Sequence, residues 1–363
     1  MSPTRIPAAR PLIGDEERAA VDRVLRSGMI AQGPEVAAFE SEFAAELVGG
    51  RTCVAVSSGT AGLHLGLLAA GVGPGDEVVV PSFTFAATAN SVALAGATPV
   101  FADIDPDTFC LDARSVEAAL TPRTVGIMPV HLYGHPADMT ELRAVADRAG
   151  VQLFEDAAQA HGATWQGEPV GSFGAFAMFS LYPTKNMTSG EGGMVSAATP
   201  EIARMLRLLR NQGMERRYEN EVVGFNARMT DVHAAIGRVQ LGKLPAWTAQ
   251  RRANAEFLSA NLEGVGVPGV ADGATHVWHQ YTIRVGVDRD GFAAALAAEH
   301  GVGSGVYYPI PNHELPSFAR EQDLPVTAQA CAQVLSLPVH PSLSRADLER
   351  IVAGVNALAK AGA

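Results

Sequence analysis

"CVAVSSGTAGLHLGLLAAG", residues 53–71, contains the change of pattern on which the fold turns. It opens as an unbroken apolar run, the signature of a strand buried on both faces. It then passes through Ser58-Gly59-Thr60 into a helix expected over about 60–71. A helix N-terminus presents free N–H groups and a positive dipole, and glycine lets a ligand approach the backbone. The hydroxyls of Ser58 and Thr60 add donors, so the turn suits a phosphate. An ordinary helix N-cap reads from the same residues. The run is neither a Walker loop nor a GxGxxG fingerprint.

The same alternation continues to about residue 200. The apolar runs "EVVVPS", "TPVFAD", "TVGIMPV", "VQLFED", "AFAMFS" and "GGMVSA" follow the first, with helices expected at about 85–95, 113–120, 138–149 and 200–211. Seven such strands separated by helices predict an α/β fold with a mainly parallel sheet covered on both faces. In such sheets ligands bind beyond the carboxyl ends of the strands. Two positions there carry chemistry. "VQLF" ends in Glu155-Asp156 and then Gln159; neighbours on a strand point to opposite faces, so the acids are not read as a catalytic pair. A cap or an ion pair is the plain alternative for Asp156. "FSLYPTKNMTSGEGG", 179–193, places Lys185 in an apolar, glycine-rich stretch with no acid within five residues on either side. A desolvated lysine amine loses basicity and becomes a nucleophile toward carbonyls; a snorkelling surface lysine is the plain alternative. A phosphate seat, a carboxylate and an amine at one sheet edge are together what pyridoxal 5'-phosphate requires.

The rest of the chain bounds the answer. Its 363 residues predict more than one domain: an N-terminal arm at 1–12, a large domain at 13–240 beginning with helices at 15–27 and 34–48, and a small α+β domain at 241–363. In the small part, "HVWHQYTIRV" alternates like a strand, and "SRADLERIVAGVNALAK" reads as a helix opened by a capping box from Ser344 to Asp347. With a net charge of −11 and no basic run, nucleic acid is not an expected partner. No stretch approaches 18 apolar residues and no signal core is visible, so neither membrane insertion nor secretion is expected. Three dispersed cysteines predict reduced thiols in a cytoplasmic protein. His131, His135 and His161 raise the question of a metal, but "HLYGHP" carries Gly and Pro and reads as a loop, so no metal site is predicted.

With "SSGTAGLHL", "GPGDEVVVPSFTFAATAN", "FEDAAQAHGA", "YPTKNMTSGEGG", "GFNARMTDVHAAIGRVQL" and "YYPIPNHELP", the chain resembles the DegT/DnrJ/EryC1/StrS sugar aminotransferases over nearly its whole length. These belong to the aspartate-aminotransferase-like enzymes, pyridoxal-phosphate fold type I. The resemblance implies that Lys185 is the Schiff-base lysine and proton carrier, and that Asp156 partners the pyridinium nitrogen. It implies that Gln159 contacts the phenolic oxygen of the ring and that Phe85 stacks on it. Gly59, Thr60 and Ser180, with Ser58 beside them, hold the phosphate, and Asn226 reaches the phosphate of a neighbouring subunit. Arg228 lies in the same segment, so a homodimer with shared active sites is implied.

The implied reaction moves an amino group from an amino acid, L-glutamate by resemblance, to a nucleotide-linked keto sugar. The Gly-Glu-Gly-Gly run after Lys185 favours a dTDP-4-keto-6-deoxyhexose; a 3-keto sugar nucleotide or a cyclitol ketone is the alternative. A cofactor-binding regulator is the non-enzyme reading, but the chain has no spare length or basic patch for one. Two departures bear on substrate: His233 stands where many relatives have Gln, and Tyr307-Tyr308 where His-Tyr is common. Tyr308, His313 and Arg228 are the expected substrate contacts, with Arg210, Arg228 and Lys243 as candidates for a pyrophosphate.

Overall fold

The computed structural model describes residues 5–286 and 288–361. The first four residues of the expected arm lie outside that range. Helices α1 (Asp15–Ser27) and α2 (Pro34–Leu47) come first. Three acids fill the first turn of α1, the Glu17 carboxylate accepts from the Gly14 amide at 2.8 Å, and Gly28 ends the helix at φ 75°. The chain then alternates through β1 (Thr52–Val56), α3 (Gly59–Ala69), β2 (Glu77–Pro81), α4 (Ala87–Leu94), β3 (Thr98–Ala102), α5 (Ala113–Ala119), β4 (Thr124–Ile127), α6 (Met139–Ala149) and β5 (Gln152–Asp156). A short ribbon, β6 (Thr164–Trp165) and β7 (Glu168–Pro169), precedes β8 (Phe176–Ser180), β9 (Gly193–Ala197) and α7 (Pro200–Arg210).

Seven strands make one sheet in the order β1-β9-β8-β5-β4-β2-β3. β3, β2, β4, β5 and β8 run parallel, and β9 is antiparallel to both of its neighbours. The expected mainly parallel sheet is present, with one reversed strand. β1 therefore points the same way as β5 and β8, and the residues after all three gather at one edge. Close contact holds α3 against β8. A Cβ on Gly62 would come within 2.8 Å of Met178 Cγ, and one on Gly66 would strike the Phe176 ring.

Beyond the sheet, α8 (Asp231–Asn261) leads to β10 (Ala274–Thr275), β11 (Tyr281–Arg284), α9 (Arg289–His300), α10 (Pro325–Gln333), β12 (Val334–Leu337) and α11 (Arg345–Ala361). The structure has one helix of 31 residues that runs through Pro245 and across the expected boundary at 240/241. A proline removes one N–H donor, and packing on both sides of it outweighs that loss. Leu241 and Leu244 are buried in the cluster around Phe39 and Phe43, Ala255 and Leu258 in the one around Tyr281. Only Tyr281–Arg284 of "HVWHQYTIRV" is strand, paired antiparallel with β12, which the sequence reading did not anticipate. The capping box forms: Ser344 Oγ accepts from the Asp347 amide at 3.1 Å, and Asp347 accepts from the Ser344 amide at 3.0 Å. The arm is anchored to this second lobe, where the Ile6 amide donates to the Gly301 carbonyl at 2.9 Å. Among the described residues no helix is long and apolar enough to cross a membrane.

Candidate active site

Asp156 closes β5 and is 4% exposed. Its Oδ2 accepts from the Thr88 hydroxyl at 2.7 Å and its Oδ1 from the Ala158 amide at 3.1 Å. Burial raises its pKa; those two donors and the charge of Lys185 oppose the rise. Glu155 takes a different set of partners, as opposite faces require. It accepts from the amides of Gly171 (2.7 Å), Phe173 and Gly174 (both 2.8 Å), with His131 Nε2 at 3.2 Å. That carboxylate holds the turn before β8.

Lys185 follows β8 in a turn closed by its own amide on the Tyr182 carbonyl at 3.0 Å. The residue as a whole is half-buried, and desolvation pulls the pKa of its amine down to about 8, with Asp156 as the opposing influence. Among the described residues Lys185 and Asp156 form no direct ion pair; the two charges act on each other across a gap. Gln159 follows Asp156 by three residues and is buried. Its Oε1 accepts from the Tyr133 amide at 2.6 Å and its Nε2 donates to the Tyr308 hydroxyl at 2.8 Å. Tyr133 and Tyr308 both hold positive φ, 57° and 59°, and their rings stack at 6.3 Å. Strained backbone of this kind persists where surrounding contacts over-determine it.

The expected phosphate residues lie around the start of α3. Ser58 caps α3, its Oγ accepting from the Ala61 amide at 3.1 Å. The first α-type bond runs from the Gly62 amide to the Ser58 carbonyl, which leaves the Gly59 and Thr60 amides without an intrahelical acceptor. A Cβ on Gly59 would lie 3.1 Å from Ser180 Cβ and 3.3 Å from its Oγ, so a side chain would crowd the space between this turn and Ser180. Phe85, on the turn after β2, is 62% exposed.

Other expected residues sit elsewhere. Asn226 is exposed and bridges Asn211, and Arg228 bridges Val56 and donates to Asn211 Oδ1 at 2.9 Å. His313 is buried rather than solvated; its Nδ1 meets Ser82 Oγ at 2.7 Å, an internal tie between that loop and the turn after β2. Arg210 and Lys243 do not serve as free cations. Arg210 is buried against Glu40 at 2.5 Å, and Lys243 holds Glu16 at 2.6 Å and Glu17 at 2.8 Å. Thr230 caps α8, its Oγ1 accepting from the His233 amide at 3.3 Å and lying 2.7 Å from His233 Nδ1, and the His233 ring packs beside Gly190, in the loop after Lys185. Thr88 and Tyr133 escaped the sequence reading. No spacing in the chain ties Thr88 to an acid 68 positions later.

Among the described residues no cluster of His, Cys, Asp or Glu could hold a metal ion. His161 is fully buried among Phe43 and Phe179. Burial pulls its pKa to about 3, so the ring is neutral.

Residues 11–356 match the DegT/DnrJ/EryC1/StrS aminotransferase family. A relative from Streptomyces venezuelae, dTDP-3-amino-3,4,6-trideoxy-alpha-D-glucose transaminase, is 44% identical over 348 residues, covering 94% of this chain and 91% of its own. The crystal structure of S. venezuelae DesV in complex with a ketimine intermediate superposes with a TM-score of 0.93 at 41% identity, covering 99% of each chain. That of NtdA from Bacillus subtilis with bound cofactor PMP gives 0.91 at 31% identity, covering 99% of this chain and 86% of its own.

Proposed function

The chain belongs to the DegT/DnrJ/EryC1/StrS aminotransferase family, and on that premise we propose that it carries an amino group from L-glutamate to the ketone of a nucleotide-linked sugar. It is an enzyme of the aminotransferase class with the aspartate-aminotransferase-like fold, and pyridoxal phosphate is its cofactor. The residues present fit that group. The unpaired amides of Gly59 and Thr60, with Ser180, would take the phosphate. Asp156 would meet the ring nitrogen, Gln159 the phenolic oxygen, and the exposed ring of Phe85 would cover one face.

Bound there, the cofactor supplies an electron sink that makes the proton on the donor's α-carbon acidic. The chain's own groups do the rest. Lys185, with its amine at about 8, exists in both protonation states near neutral pH, so it can take that proton and return it. Asp156 holds positive charge opposite, and the Thr88 hydroxyl and Ala158 amide fix which way it faces. One arrangement carries the reading: a lysine whose basicity burial lowers, at the same sheet edge as the buried carboxylate of Asp156.

For the ketone we favour carbon 3 over the 4-keto sugar expected from the sequence, a choice supported by the name of the S. venezuelae relative, a dTDP-3-amino sugar transaminase. The 4-keto alternative retains one support, the Gly-Glu-Gly-Gly run at 190–193. Two copies are proposed to pair so that Asn226 reaches across. The segment beside it supports this, because Tyr218, Val223 and Phe225 are exposed. The test is L-glutamate with dTDP-linked 3-keto and 4-keto sugars, read as 2-oxoglutarate and amino sugar by mass spectrometry. The 3-keto substrate should turn over faster, and Lys185→Ala should abolish product. Full activity in that variant, or no 2-oxoglutarate with any keto sugar, sinks the proposal.

A further inference from the structure

Residues 276–280, "HVWHQ", precede β11 and form no strand, yet every one of them is buried. The segment lies between two loops of the site. On one side is the turn that carries Lys185. Asn186, 4% exposed, donates from Nδ2 to the Val277 carbonyl at 2.9 Å, and its Oδ1 lies 3.2 Å from His279 Nδ1. On the other side the Val277 amide donates to the Gly134 carbonyl at 3.0 Å and the Gln280 amide to the Tyr133 carbonyl at 3.1 Å. The Tyr133 amide is the donor that holds Gln159. A Cβ on Gly134, where φ is 94°, would lie 2.8 Å from the His279 amide nitrogen, so that loop and the segment are in close contact.

The hydrogen-bond roles at Asn186 are fixed by its partners. Its Nδ2 is used on the Val277 carbonyl, so its Oδ1 accepts, and His279 Nδ1 carries the proton. Burial pushes the His279 imidazole well below its ordinary pKa, so the ring is neutral. In the middle of the segment Trp278 stands at φ 47°, a left-handed conformation that is costly for a bulky residue. Local contacts hold it there: the Trp278 amide donates to His276 Nδ1 at 2.9 Å, and the two rings stack at 3.9 Å. The segment is therefore a stiff spacer rather than a loose connection, with the lysine turn fastened to one flank and the Gln159 support to the other.

We propose that Asn186 is a positioning residue for Lys185: by locking the lysine turn onto this spacer, it sets where the amine stands relative to Gln159 and keeps it away from water. The proposal rests on the aminotransferase reading above, in which Lys185 moves the proton. Lysine has a flexible four-carbon stem, and a turn free to shift would carry the amine with it. Asp156, His161 and His279 are the titratable groups that sense Lys185; both imidazoles are neutral, so desolvation and Asp156 set its basicity. Asn186 has no charge of its own and acts on the amine through its place.

The readout is the titration of Lys185 itself, followed in the full-length protein, stripped of cofactor and able to rebind it. The pH dependence of reductive methylation at Lys185 is mapped by mass spectrometry. The wild-type amine should titrate near 8. In Asn186→Ala the midpoint should move up by about one unit or more, toward that of a hydrated lysine. Gly66→Ala, which loses stability elsewhere, should leave the midpoint in place. In the holoenzyme Asn186→Ala should lower kcat by about tenfold or more, with both KM values within about threefold, as misplacement of a reacting group does. Should that variant fail to fold, two substitutions at 279 decide. His279→Asn keeps an N–H donor where Nδ1 stands and should titrate as wild type; His279→Leu keeps bulk without the donor and should shift upward. An unmoved midpoint in folded Asn186→Ala, an equal shift in Gly66→Ala, or equal shifts in the two variants at 279 overturns the assignment. If the midpoints move as expected but the wild type aminates no keto sugar, the positioning role stands and the substrate reading falls.

Discussion

Thr88→Val keeps the shape of the side chain and removes one hydroxyl. That hydroxyl donates to Asp156 Oδ2 at 2.7 Å, and both residues are buried. Hydrogen bonds to charged groups contribute about 1.5–3 kcal/mol, so the variant should lose about that much stability while Asp156 is ionised. The remaining support is the Ala158 amide at 3.1 Å and the charge of Lys185. With that donor gone, the Asp156 pKa should rise further.

The sign follows from linkage. Burial already raises this carboxyl above its unfolded value, so the native state binds the extra proton and stability falls as pH rises through the native pKa. The loss caused by Thr88→Val is therefore greatest above that pKa and shrinks below it. The assay is urea unfolding of a four-member cycle with Asp156→Asn, at neutral and acid pH. In the Asp156→Asn background the acceptor is neutral, and Thr88→Val should cost only about 1 kcal/mol or less. An equal loss in both backgrounds at neutral pH would refute the idea that Thr88 acts on the charge of Asp156. In the active enzyme the same variant should slow turnover.

Two further outcomes test the surroundings. Gly66→Ala should lower the melting temperature, since overpacking costs about 1–3 kcal/mol and the new methyl meets the Phe176 ring; an unchanged melting point would mean α3 is not seated tightly on β8. Lys185→Met should stabilise the cofactor-free fold at pH 7. A lysine whose native pKa is lowered to about 8 disfavours the fold below that pH, and the handicap fades as pH rises toward its unfolded value of 10.5. Urea midpoints at pH 7 and pH 10 should therefore converge between variant and wild type; a constant difference would show that the amine is hydrated.

The sheet was legible because its strands are buried on both faces and so read as continuous apolar runs. The reversal of β9 was not legible, since strand direction leaves no trace in composition. Asp156 and Lys185 could be found because each follows an apolar run, where parallel sheets present their ligands. Their supports were hidden because they arrive from elsewhere: Thr88 from the first turn of α4, and the Tyr133 amide from the loop after β4. Arg210 and Lys243 passed for free cations only while Glu40 and Glu17, 170 and 226 positions away, remained out of view. The change of texture after 240 suggested a boundary there, yet α8 continues through it and through Pro245, because tertiary packing on both sides overrides local propensity.

That unbroken helix has a mechanical consequence. At 1.5 Å per residue α8 is about 46 Å long, a shaft on which the sheet and the second lobe are both mounted. At that junction the chain is continuous helix and not a flexible strip. The small donor and the bulky ketone must then meet nearly the same walls in turn, and fixed charges in those walls have to tell them apart.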